Sequence, residues 1–121
     1  MRIPFQAVLL VMLAAGAGIC ALPAQAHHGW SAYDATKAIK VEARIEAVSY
    51  QMPHGSIEIT YEGKPWVVVL APPPRMQARG LPQDDLTVGK TVVVEAYPKR
   101  DGEMEMRAER ITVDGKTIEL R

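Results

Sequence analysis

Ile39-Lys40-Val41-Glu42-Ala43-Arg44-Ile45-Glu46-Ala47 alternates apolar and charged or small residues without a break. Successive side chains on a strand point to opposite faces, so this stretch reads as a strand with one face buried and one wet. The same period recurs downstream. Ile57, Ile59 and Tyr61 alternate with Ser56, Glu58 and Thr60, and Glu62-Gly63-Lys64 turns the chain into a third strand. That strand, Trp66 to Leu70, is almost continuously apolar, which predicts a central place in the sheet or burial on both faces. Thr91 to Tyr97 is a fourth strand, and Lys99-Arg100-Asp101-Gly102 turns it into a fifth, Glu103 to Val113. Asp114-Gly115 is a two-residue hairpin signal leading to a short sixth, Thr117 to Leu120. On the fifth strand, Met104 and Met106 share one face, while Arg107 and Arg110, three positions apart, face opposite sides.

The pattern breaks once. Pro72-Pro73-Pro74 opens a helix at its first turn, where a missing N–H costs nothing, and Gly80 supplies the left-handed residue that ends it. This predicts a single short helix over 73–79, followed by a loop over 81–89 that carries Asp84-Asp85 as a solvated turn. Three strands, a helix, then two or three strands is the order of an oligonucleotide/oligosaccharide-binding (OB) barrel. Residues 38–121 are therefore expected to form an all-β domain, a small antiparallel OB-like barrel of five to six strands with one short helix. A plain β-sandwich is the alternative. Residues 27–37 read as a polar and aromatic lead-in, with Trp30 and Tyr33 packing it onto the barrel.

Upstream the composition changes. Met1-Arg2 gives a positive end, Ala7 to Leu22 is an apolar and glycine run, and Ala24-Gln25-Ala26 fits a signal-peptidase site. As a helix the run spans roughly 24 Å, short of the roughly 30 Å hydrocarbon core of a bilayer. Residues 1–26 are expected to be a cleaved secretory signal, which makes the rest a periplasmic or secreted protein with no membrane span. The only cysteine, Cys20, leaves with that segment, so disulfide and thiol chemistry are not expected. The chain has 14 Lys+Arg against 14 Asp+Glu. That balance argues against a nucleic-acid partner, whose phosphates call for a surplus of cations.

No phosphate-cradling glycine loop, G-x-S-x-G or H-E-x-x-H occurs. The histidines are the chemistry that remains: His27, His28 and His54. Cleavage after Ala26 is expected to free the His27 α-amine to chelate a metal ion together with its own imidazole, leaving His28, His54 or both to complete the site. Amine and imidazole have ordinary values of about 8 and 6.5, so both bind metal near neutrality. An all-nitrogen donor set favours copper, Cu(II), by ligand type and by the Irving–Williams order. Met52, Met104 and Met106 offer thioethers for Cu(I), although methionine on a strand face is more often core filler. The bland alternative is a polar start and a histidine that only shapes a turn.

With these residues in place, the chain resembles the small exported bacterial proteins of domain-of-unknown-function family 6152. The likeness rests on Ala26-His27-His28-Gly29-Trp30, Tyr33-Asp34, Met52-Pro53-His54, Trp66, Arg79-Gly80, Pro98-Lys99-Arg100-Asp101-Gly102 and Asp114-Gly115. Met52 stands where the family has asparagine, and Lys90 where it has aspartate, so an acidic role at 90 does not carry over. The resemblance implies export and a small β-barrel, and no established activity. Three functions are open. The first is a non-enzymatic exported barrel that holds copper through its N-terminal histidines. The second is a cell-envelope module whose partner is a protein or a glycan. The third is a copper-dependent enzyme with an N-terminal histidine brace. The sequence leaves the oligomeric state open.

Overall fold

The computed structural model describes residues 29–121. Among them, seven strands form one mixed sheet: β1 (Ile39–Arg44), β2 (Ala47–Ser49), β3 (Ser56–Tyr61), β4 (Lys64–Val69), β5 (Thr91–Pro98), β6 (Glu105–Val113) and β7 (Lys116–Glu119). One α-helix, α1 (Pro73–Ala78), follows β4, and single 3-10 turns occur at Trp30–Ala32 and Gln83–Asp85. The helix stands where the prolines and Gly80 place it. Pro73 occupies its first turn, and Gly80 adopts φ +89° just beyond its end.

The hydrogen-bonded order is β1-β5-β6-β4-β3-β2, with β7 also beside β6. This corrects the expected strand count and the expected closed, antiparallel barrel. The strand read over residues 39–47 is two strands. The Ile45 N–H donates to the Lys90 carbonyl at 2.9 Å, and the Glu46 N–H donates to the Glu58 carbonyl at 2.8 Å, so the chain leaves β5 and joins β3 there. Alternation records which side chains are buried; it does not record which neighbour takes the backbone. The sheet is not closed, because β1 and β2 form the two ends of the order. It is not wholly antiparallel either, because β4 and the first half of β6 run parallel, Val67 beside Glu105 through Val69 beside Arg107. After β4 the chain passes α1 and skips a place in the sheet. The β5–β6 hairpin then returns into the gap and brings β6 in along the direction of β4.

The inner face holds Ile57, Ile59, Val68, Val92, Val94, Met106 and Ile111, and Leu70, Met76, Leu81 and Leu120 close the core around α1. Each such side chain stabilises the fold by about 1.5–3 kcal/mol through removal from water. In β6 the ladder to β5 slips between Glu95 and Ala96, so Arg110 faces Glu95, Ala108 faces Ala96, and Glu109 is the extra residue. One extra residue inverts the alternation. Arg107 and Arg110 therefore share the outer face, instead of lying on opposite sides as the spacing suggested. Met106 packs in the core while Met104, ahead of the strand, is exposed, so the two do not form a thioether pair.

Candidate functional site

The lead-in lies across the outer face of the sheet. Arg107 pairs in register with Tyr97 on one side and with Val69 on the other, and the Trp30 ring covers it with the guanidinium carbon 4.5 Å from the ring centre. Arg121 approaches the same ring at 4.8 Å, and Tyr97 meets it edge-on with ring centres 6.0 Å apart. A guanidinium held against an indole face is attracted by the ring quadrupole. This cover leaves Arg107 only 7% exposed although it sits on the outer face. Burial pulls its ordinary value down and the nearby charges of Arg75 and Arg121 add to that, yet it stays a cation. Trp30 itself is half-buried.

Three residues downstream the contact continues. The buried Tyr33 donates its hydroxyl to Glu105 at 2.6 Å and forms a β-bridge with Lys99. The Asp34 N–H donates to the Pro98 carbonyl at 2.8 Å, while Arg100 donates its backbone N–H to Ala32 and its Nε–H to Ser31. Asp34 turns the chain by accepting from both the Thr36 N–H and hydroxyl, bonds that hold its carboxyl below the usual carboxylate range. The two motifs Tyr33-Asp34 and Pro98-Lys99-Arg100-Asp101-Gly102, far apart in sequence, are thus one docked unit.

Tyrosine ionisation is delayed in this arrangement. Burial, then the hydrogen bond to Glu105, pushes Tyr33 up, and the hydrogen bond to Glu109 followed by burial does the same for Tyr97. Folded phenols therefore keep protons that the unfolded chain releases above about pH 10. Their stabilisation is fully present below that pH and is lost as pH rises through the folded values. Thermal melts above about pH 9 should show this fall, and Tyr33→Phe should flatten it. An unchanged slope in the variant would mean that Glu105 does not hold Tyr33.

Of the three predicted metal ligands, only His54 falls among the described residues; His27, His28 and the signal reading of 1–26 lie outside them. His54 is half-buried at the end of the loop from β2 to β3. Its neighbour Gly55 ties that loop to the end of β4, donating to the Ala71 carbonyl and accepting from the Leu70 N–H, each at 2.8 Å. Among the described residues no group of three His, Cys, Asp or Glu stands together as a metal site, and no helix is long and apolar enough to cross a membrane. Asp85 lies 3.6 Å from Lys116 at the surface, in keeping with a solvated turn.

The lead-in has a direction. It passes Glu105 at Tyr33 and Arg107 at Trp30, so going upstream it runs along the direction in which β6 and the parallel β4 advance. That direction leads from Val69 to Leu70 and Ala71, where the His54 loop is bonded. Sequence reasoning missed Arg107 as the seat of Trp30; the bulge that turns its neighbour Arg110 to the same face leaves no mark in the alternation.

No curated protein matches the chain. The sequence profile of the family of unknown function DUF6152 matches residues 16–108, a span that includes the lead-in, β1 to β5 and the part of β6 beneath Trp30. The chain belongs to the family of unknown function DUF6152.

Proposed function

We propose that this protein is exported and, without being an enzyme, holds one copper ion through the His27 amine and imidazole, His28 and His54. The observation that carries this reading is the course of the lead-in, whose upstream end is aimed at the His54 loop. From Arg107 to Val69 to Ser56 is two strand spacings, roughly 10 Å. The two residues from Trp30 back to His28 can advance up to roughly 7 Å along the strand direction, which leaves the spacing across the strands to the side chains. Imidazole side chains close the remainder. Nitrogen donors of this kind suit Cu(II). The fold offers a rigid base for such a site: β1 and β2, the two ends of the sheet, are consecutive in the chain, and β4 and β6 run parallel. We read this as an OB-like barrel left open beside the bent first strand.

One equivalent of Cu(II) should broaden the amide signals of Trp30, Gly55 and Arg107 by paramagnetic relaxation. Asp114, roughly 20 Å further along β6, should stay sharp. His54→Ala should weaken binding, and affinity should fall as pH drops through about 6, when protons compete for the imidazoles. Broadening confined to the neighbourhood of the exposed Met104 would contradict the site. Full sharpness everywhere would leave an interaction module with a protein or glycan partner as the better reading.

A further inference from the structure

A cleft of about 380 Å³ opens where the start of β1, the β3–β4 turn and the β5–β6 hairpin meet, beside Asp34. Its floor is Ile39, Tyr61, Trp66 and Pro98. Trp66 pairs in register with the fully buried Ile59, and Tyr61 follows Ile59 by two, so both aromatics belong to the inner row that fills the core further along. At this end they are only half-buried, and they meet edge to face with ring centres 5.6 Å apart. The ladder from β2 to β3 stops at Glu58; the inner row stays buried at Ile59 and is partly exposed at Tyr61.

The rim is charged but balanced: Lys37, Lys99 and Arg100 against Asp34, Glu62 and Glu103. Lys99 pairs with Glu103 at 2.7 Å, and Arg100 and Lys37 stand 3.9 and 4.0 Å from Asp34. The volume falls within the roughly 300–1,000 Å³ of small-ligand sites. An ion would meet equal charges of both signs and gain no net attraction. A hydrocarbon chain would strip water from the rim pairs without replacing its hydrogen bonds. A neutral polyhydroxylated ring suits both layers. Its C–H face packs on the electron-rich aromatic faces, while its hydroxyls donate to spare carboxylate lone pairs and accept from ammonium and guanidinium protons.

We propose that this cleft binds a neutral saccharide, one pyranose ring seated against Tyr61 and Trp66. The site stands on other residues than the histidines and does not depend on copper. The test follows the Trp66 indole N–H by NMR in the full chain with three neutral probes: cellobiose, lactose and N,N′-diacetylchitobiose. At least one should shift the Trp66 signal saturably at millimolar concentration while the Trp30 indole stays in place. Ile39→Trp, which fills the floor, should weaken that binding by at least about tenfold. Lys37→Ala, at an exposed rim position that leaves the core intact, should weaken it by about threefold, which keeps the test decisive should the floor variant misfold. No shift with any of the three sugars, or an affinity unaltered in both variants, overturns the proposal. So does a response to laurate without one to the sugars, which would mark an acyl-chain site.

Discussion

Replacing Trp30 with alanine is expected to lower the thermal midpoint by roughly 12–32 °C, at about 4–8 °C for each kcal/mol in a domain of this size. The indole is half-buried and contributes apolar burial worth about 2 kcal/mol. It also faces two guanidiniums, Arg107 and Arg121, each contact adding about 0.5–1 kcal/mol. Its loss also strips from Arg107 the ring that covers its guanidinium and with it the packing between the lead-in and β6. Trp30→Phe, which keeps a smaller ring over Arg107, should retain a good part of the midpoint. Scanning calorimetry on the three proteins decides it. An alanine variant that melts with the parent would show that the lead-in does not dock in solution, and the aim of its histidines would go with it.

The elements themselves were legible because burial follows alternation closely. Ile57 and Ile59 are buried while Glu58 and Thr60 are exposed, and Pro73 and Gly80 bracket α1. Pairing was less legible. Nothing in Ile45-Glu46 announces that the chain changes partners there, because the switch is made by backbone groups of Lys90, just ahead of β5, and of Glu58 in β3. The bulge at Glu109 is a property of the register between two strands, so spacing along one strand assigned Arg107 and Arg110 to opposite faces. In the site, Trp30 and Tyr33 were readable as packing residues by type. Their seats were not, since Arg107 reads as a solvated strand residue until an indole lies over it. His54 was singled out by its chemistry alone, and the tie of Gly55 to Leu70 and Ala71 is what relates it to the lead-in.

Adding one residue before His27 is expected to cost at least about tenfold in Cu(II) affinity, on the order of 1.4 kcal/mol. The added residue keeps every side chain in place, and with it any loose binding by a histidine-rich surface. It removes only the five-atom relation between the primary amine and the imidazole of His27, converting the amine nitrogen into an amide that does not bind copper unless it gives up a proton. The effect should grow toward pH 8, where the amine of the native terminus, with its ordinary value of about 7.7–8.0, is increasingly deprotonated and competes less with protons. The titration must be run on protein whose terminus has been verified by mass, because the whole difference lies in that one nitrogen. Tight one-to-one binding by the His27-terminated chain and marked weakening in the extended one is the expected result. Equal copper affinity in the two proteins would contradict an N-terminal copper site.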